Sequence, residues 1–235
     1  MVLKTHNIKT RVKTAKGRKL SSTLWLQRQL NDPYVKEANR LGYRSRAAFK
    51  LIELNDKYHF LAKGKKIVDL GAAPGGWSQI AVQKTASTQE NPLIVGIDLL
   101  PVEPMAGARF IQMDFMDDKA PFLLKQTLGG KADVVLSDMA PNTSGIHKID
   151  SLRLMGLLES AYAFAKEILA PNGVFIAKIF QGGTENTLLS EMKKDFELVK
   201  HAKPEASRKD SSEFYVVAKG YRGKAVIDSD ALKEK

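Results

Sequence analysis

Two hydrophobic periods alternate along this chain, and the switches between them outline a fold. Short apolar, β-branched runs predict strands over 66–70, 93–97, 109–112, 133–137, 173–179 and 214–218. Between them, apolar residues recur every three or four positions and predict helices over 77–84, 118–128, 151–169 and 185–195. The stripe over 151–169 is the clearest, with Leu154, Leu157, Leu158, Ala161, Tyr162, Ala165 and Leu169, and Pro171-Asn172-Gly173 is placed to end it. Upstream, residues 21–43 form an opening segment, with Trp25, Leu26 and Leu30 at helical spacing before the Asp32-Pro33 break. Ser45 reads as the N-cap of a helix running to about Lys57. On it Arg46, Lys50, Glu53 and Lys57 share one polar face, and Phe49 and Ile52 lie off that face, toward a core. Alternation of this kind predicts an α/β architecture, a mostly parallel sheet with crossover helices on both faces.

The segment Ile67-Val-Asp-Leu-Gly71-Ala-Ala-Pro-Gly75-Gly76-Trp77-Ser78 is the most informative loop in that pattern. Glycine there permits positive φ and removes the Cβ that holds a ligand away from backbone. In an open α/β sheet, such a loop at the carboxyl end of a strand marks a ligand site. The spacing departs from G-x-G-x-x-G, and no Gly-Lys-Ser/Thr phosphate loop is present. Pro74 also removes an amide donor. The loop therefore suits a ligand without a pyrophosphate, such as S-adenosylmethionine, better than a dinucleotide. A purely structural turn is the competing reading.

Composition narrows the function classes. A chain of 235 residues can bury a full single-domain core. No apolar run approaches the roughly 18 residues of a membrane span, and no signal-peptide pattern opens the chain. The absence of cysteine excludes disulfides, a thiolate metal site and methylation of a pyrimidine C5 through a cysteine adduct. The net charge of +11 is carried wholly by residues 1–50, because the remainder balances to zero. That asymmetry is the footprint of a polyanionic partner. Residues 1–20 read as a flexible basic arm, residues 21–222 as one domain, and 223–235 as a disordered tail. A mitochondrial presequence is the alternative reading of the arm.

Four polar residues stand at predicted strand ends, where such sheets place their chemistry. Asp98 can accept from ribose hydroxyls and Asp114 from an adenine amino group. Asp138 precedes a turn in Leu136-Ser-Asp138-Met-Ala-Pro-Asn142, and Lys178 is the sole charge in an apolar run. Taken singly, Asp138 is an ordinary cap and Lys178 an ordinary snorkelling lysine. Together they are candidates for tuned ionisation.

Five stretches then carry a resemblance: Arg44-Ser-Arg-Ala-Ala-Phe-Lys50-Leu, Asp69-Leu-Gly-Ala-Ala-Pro-Gly-Gly-Trp-Ser78, Ser137-Asp-Met-Ala-Pro-Asn142, Lys178-Ile-Phe-Gln-Gly182 and Ser207-Arg-Lys-Asp-Ser-Ser-Glu213-Phe-Tyr. The chain resembles the FtsJ/RrmJ-type ribose 2′-O-methyltransferases from about residue 21 to 222. The resemblance implies a Rossmann-like methyltransferase fold of seven strands, the last antiparallel, with one further strand near 196–201. It implies a catalytic tetrad of Lys50, Asp138, Lys178 and Glu213, and S-adenosylmethionine contacts at Gly75, Trp77, Asp98, Asp114 and Asp138. No metal is implied. The set is most similar to the bacterial enzymes that methylate a uridine ribose in the A-loop of 23S ribosomal RNA, which implies a ribosomal RNA partner within the large subunit, a cytoplasmic location, a monomer and no membrane. Relatives acting on tRNA or an mRNA cap share the tetrad, and a non-catalytic RNA-binding relative would share the fold. An amino-group methyltransferase is disfavoured, since its Asn/Asp-Pro-Pro-Tyr/Phe loop is replaced by Ser137-Asp-Met-Ala-Pro-Asn142.

Two chemistries remain open for Lys178. As a neutral amine it can take the hydroxyl proton, aided by like-charge repulsion from Lys50. As an ammonium it can stabilise the developing oxyanion. Asp138 and Glu213 oppose the first role. The arm, with Arg44 and Arg46 beside Lys50, is expected to supply phosphate contacts.

Overall fold

The computed structural model describes residues 10–12, 17, 19–142, 144–180, 186–208 and 211–223. Most of the basic arm and the tail from 224 therefore lie outside the described residues, as do Gln181, Gly182, Lys209 and Asp210 of the motif stretches. Two helices, α1 (Leu20–Asn31) and α2 (Pro33–Leu41), precede α3 (Ala47–Tyr58). The α/β units follow as β1 (Ile67–Leu70), α4 (Gly76–Thr85), β2 (Ile94–Asp98), β3 (Ala108–Gln112), α5 (Ala120–Leu128), β4 (Ala132–Ser137), α6 (His147–Ile168) and β5 (Leu169–Phe180). The chain closes with α7 (Asn186–Asp195), β6 (Phe196–Ala202) and β7 (Glu213–Tyr221). Among the described residues no helix is long and apolar enough to cross a membrane.

The seven strands lie in the order β3-β2-β1-β4-β5-β7-β6. All pairs from β3 to β5 are parallel, whereas β7 runs antiparallel to both β5 and β6. The strand near 196–201 is thus β6, and the last strand is the antiparallel one. Strand order reverses between β1 and β4, so their carboxyl ends open a crevice. Because β7 runs the other way, its amino end, Glu213, reaches that same edge of the sheet.

Both faces of the sheet are covered, and period-two alternation sorts side chains between them. Val68, Leu70, Val95, Val135 and Phe175 pack toward α5, α6 and α7. Ile67, Ile94, Leu136, Ile176 and Tyr215 pack toward α3 and α4. Lys178 continues the parity of Val174 and Ile176, which aims it at the face that α3 covers.

The Asp32-Pro33 break is confirmed: the Asp32 carboxylate caps α2 by accepting from the Tyr34 amide at 3.0 Å, with Pro33 in the first turn. Two local expectations are corrected. Ser45 does not cap α3; the helix begins at Ala47, and the Ser45 hydroxyl is buried without a hydrogen-bond partner beside Gly76, where a Cβ would collide with it. The Pro171-Asn172-Gly173 stretch does not end α6 either. The helix stops at Ile168 and passes directly into β5, where Asn172 takes a φ of 64° and the pairing with β4 shifts between Ala132 and Val134. That turn is a bulge inside a strand rather than a helix stop.

Candidate active site

Gly71 leaves β1 with a φ of 80°, and a Cβ there would lie 2.9 Å from the Met139 backbone. Only glycine lets the β1 and β4 loops approach so closely while leaving a cleft between them. The cleft has a volume of about 250 Å³. Asp98, Asp114 and Asp138 line it, together with apolar Ile97, Leu99 and Met113, and no lysine or arginine does. Three acids without a base reject a pyrophosphate and favour a cationic ligand with an apolar body.

The acids are held in place by backbone amides. Asp98 Oδ2 accepts from Ala73 N–H at 2.9 Å and Oδ1 from Leu100 N–H at 2.8 Å. Asp114 Oδ1 accepts from Met116 N–H at 2.9 Å. Each oxygen keeps a further lone pair for a ligand hydroxyl or amine. Gly75 and Trp77 do not line the cleft. Gly75 adopts a φ of 105° under Arg44, whose guanidinium would meet an added Cβ at 2.8 Å. Trp77 is 3% exposed, and its indole N–H donates to Ala47 O at 2.9 Å. Both shape the loop that bounds the cleft, and the backbone is what they present toward it.

Beside the cleft, Lys50, Asp138, Lys178 and Glu213 converge from α3, the β4 loop, β5 and β7. Lys178 Nζ lies 2.8 Å from Asp138 Oδ1 and donates to Asp138 O at 2.8 Å, with Glu213 Oε2 at 3.9 Å. Lys50 Nζ donates to Glu213 Oε1 at 2.5 Å. Two ammonium and two carboxylate groups cancel, which is what allows four charges to be buried together. Lys50 is itself 8% exposed, so the polar face of α3 is turned inward at that turn, while Lys57 at the end of the same face stays exposed.

One member was missed. Tyr215 is fully buried, and its hydroxyl donates to Asp138 Oδ1 at 2.8 Å, lies 3.1 Å from Glu213 Oε1, and accepts from Lys50 Nζ at 3.3 Å. It pairs directly with Lys178 across β5 and β7. The signal available in the sequence was its spacing: two residues from Glu213 on a strand, hence the same face.

These contacts decide ionisation. Burial works against the Asp138 carboxylate, but Lys178, Lys50 and the hydrogen bonds from Lys178 and Tyr215 outweigh it and hold the group below the usual carboxylate range. Burial likewise works to lower Lys178, yet Asp138 and then Glu213 hold it above the ordinary lysine value. Burial, then Asp138 and Glu213, pushes the Tyr215 phenol well upward. Lys178 is therefore an ammonium in the free protein.

Arg44 and Arg46 were expected to meet phosphate, and the structure commits both to the protein. Arg44 donates to Glu103 O and Pro104 O at 2.6 and 2.8 Å. Arg46 donates to Ala206 O at 2.5 Å and lies 3.1 Å from Asp32 Oδ2. Backbone carbonyls and a buried carboxylate lie within reach of both guanidinium groups and engage part of each planar fork.

A seven-stranded sheet with one antiparallel strand, opening on an acid-lined cleft at its switch point, defines a Rossmann-like, S-adenosylmethionine-dependent methyltransferase. The sequence model of the family described as FtsJ-like methyltransferase matches residues 43–221. The chain is 59% identical over 219 residues to a protein of Paramagnetospirillum magneticum named ribosomal RNA large subunit methyltransferase E, covering 92% of this chain and 90% of that one. A protein of the same name from Rhodopseudomonas palustris is 54% identical over 230 residues, 98% of each chain. A crystal structure from Plasmodium falciparum, described as that of a ribosomal RNA methyltransferase, superposes with a TM-score of 0.67 at 34% identity, covering 77% of this chain and all of that one. The chain belongs to the FtsJ-like methyltransferase family.

Two expected outcomes follow from the cleft. Asp98→Ala removes a ligand acceptor and frees the Ala73 and Leu100 amides, so the dissociation constant for S-adenosylmethionine should rise by about 10- to 100-fold, read by calorimetry. The second concerns Asp69, fully buried beneath the loop, with Oδ2 accepting from Ser78 Oγ at 2.6 Å and Oδ1 unpartnered. Burial, with the nearby charges of Asp138 and Asp98, outweighs the Ser78 hydrogen bonds and pushes its carboxyl up to about 7. The folded state then holds a proton that the unfolded chain gives up near 4, so stability from this group is full below about pH 4 and is lost as pH rises through about 7. Asp69→Asn should flatten that slope, leaving the melting temperature near wild type at about pH 5 and raising it at about pH 8.5. A wild-type slope in the variant would remove Asp69 as the cause.

Proposed function

We infer that the protein transfers a methyl group from S-adenosylmethionine to a ribose 2′-hydroxyl of RNA, in the large-subunit ribosomal RNA, with a uridine of the 23S A-loop as the target. The observation that carries the reading is the neutral cluster of Lys50, Asp138, Lys178 and Glu213 beside the acid-lined cleft. The name shared by the two bacterial relatives supports the substrate class. A cytoplasmic location goes with that substrate.

When bound, S-adenosylmethionine supplies an electrophilic methyl group on a sulfonium centre; Asp98, Asp114 and Asp138 would hold it. The chain's own residues act on the acceptor. The Lys178 ammonium, fixed by Asp138, donates to the ribose 2′-oxygen and stabilises the charge that develops there. Glu213, whose Oε2 is the less engaged of its two oxygens, is the carboxylate that takes the hydroxyl proton, and its transfer runs ahead of C–O bond formation, so the 2′-oxygen carries partial negative charge beside Lys178. The methyl–sulfur bond breaks as the C–O bond forms, and its electron pair stays on the departing thioether sulfur. Lys50 fixes Glu213, and Tyr215 ties the two carboxylates together. No metal or covalent enzyme intermediate is needed.

The test is a map of 2′-O-methylated positions in total RNA from cells with and without this protein. Loss of one uridine site in the large-subunit RNA is expected. Loss confined to tRNA or a cap would transfer the same chemistry to another RNA, and an unchanged map would refute the reading.

A further inference from the structure

The polar face of α3 does more than deliver Lys50. Arg46 lies four residues before Lys50 and Glu53 three residues after it, one turn to either side on the same face. Both side chains grip the backbone of one residue, Ala206, in the loop between β6 and β7. Arg46 Nη2 donates to Ala206 O at 2.5 Å, and Glu53 Oε2 accepts from Ala206 N–H at 2.9 Å. Ala206 itself is fully buried against Ala38 and Phe49.

The gripped residue leads directly into the catalytic cluster. The next residue, Ser207, donates from Oγ to Glu213 Oε1 at 3.3 Å, the same oxygen that accepts from Lys50. The clamp is itself braced from α2. Asp32, 8% exposed, lies 3.1 Å from Arg46 Nε and 3.7 Å from Arg208 Nη2. Tyr34 donates to Glu53 Oε1 at 3.4 Å. Burial, then the Glu53 and Glu205 charges, pushes the Tyr34 phenol up to about 12, which keeps it a donor.

We propose that Arg46 and Glu53 are positioning residues that clamp the Ala206 backbone from both sides and thereby seat Glu213 against Lys50 and Lys178 in the methyl-transfer geometry. The assignment rests on the 2′-O-methyl-transfer reading above. An ordinary surface helix would solvate these side chains; here a glutamate and an arginine, a turn either side of a catalytic lysine, satisfy both backbone polar groups of one residue. The helix that presents Lys50 therefore also holds the loop whose Ser207 hydroxyl meets Glu213. A displacement of about 1 Å at a reacting group can cost on the order of 100-fold in rate.

Single-turnover methyl transfer to large-subunit RNA, with cofactor and RNA dissociation constants measured on the same proteins, tests the clamp. Glu53→Ala should lower the transfer rate by about 30- to 100-fold with both dissociation constants within about twofold of wild type. Glu53→Gln keeps an oxygen for the Ala206 amide and should restore the rate to within about fivefold. In a Glu213→Gln background the Glu53→Ala loss should shrink to less than about threefold, because the two act through one carboxylate. A Glu53→Ala rate equal to wild type, a Glu53→Gln variant as slow as Glu53→Ala, or a full loss persisting in the Glu213→Gln background would overturn the clamp. An Arg46→Ala variant whose defect lies wholly in RNA affinity would reassign Arg46 to phosphate binding and overturn its part. If wild-type protein itself transfers no methyl group to RNA ribose, the functional reading fails, and that outcome is separate from failure of the clamp.

Discussion

Lys178→Ala is expected to reduce methyl transfer by a factor of about 10³ or more while leaving the S-adenosylmethionine dissociation constant within about twofold. The asymmetry follows from geometry. Lys178 Nζ is spent on the Asp138 carboxylate and carbonyl, both at 2.8 Å, and Lys178 does not line the cofactor cleft. Removing it strips the acceptor site of its ammonium and leaves the acids that line the cleft in place. It also leaves the Asp138 carboxylate with the Tyr215 hydroxyl but without its ammonium partner, and breaking such a pair typically destabilises by about 3–5 kcal/mol. Cofactor affinity at a temperature well below the melting transition is therefore the control for folding. Activity retained within about tenfold would remove Lys178 from the mechanism.

The pH profile of the single-turnover rate carries the second large effect, because the two roles of Lys178 diverge steeply. Asp138 and Glu213 hold Lys178 above its ordinary value, against the effect of burial. A neutral amine acting as base would be a vanishing fraction at neutral pH, and the rate would climb about tenfold per pH unit. Between about pH 7.5 and 9.5 that is a rise of roughly 100-fold. The ammonium role gives a plateau over the same range, changing by less than about twofold, with loss only as Lys178 deprotonates at higher pH. On the acid side Asp138 is held below the usual carboxylate range by the two lysines, so its charge persists as pH falls. A plateau identifies the ammonium; a unit slope returns the proton to Lys178.

The residues that define the site were legible where chemistry and backbone pattern coincide. Gly71 and Asp98 stand at strand ends, and Lys178 breaks an apolar run, so each announces itself. Tyr215 did not, because a tyrosine within Phe-Tyr-Val-Val is what any buried strand shows; only its pairing with Lys178 across β5 and β7 gives it a role. Arg44 and Arg46 show the opposite case. A cationic run beside a basic arm suggests phosphate, but the Glu103, Pro104 and Ala206 carbonyls that claim these guanidinium groups lie 59 to 160 residues away. Similarly, Ser45 satisfies the local rule for a cap, and packing against Gly76 overrides it. Local pattern located strands and helices; it could not register which distant carbonyl or carboxylate a polar side chain would meet.

The most direct measurement of the central claim is the identity of the methylated nucleoside. Undermethylated large ribosomal subunits would be incubated with this protein and S-adenosylmethionine carrying a labelled methyl group, and the RNA digested to nucleosides and separated. A Lys50–Asp138–Lys178–Glu213 cluster that acts on a ribose hydroxyl requires the label on a ribose 2′-oxygen, and the proposed target makes that nucleoside 2′-O-methyluridine. Label on a base, or on protein, would contradict it.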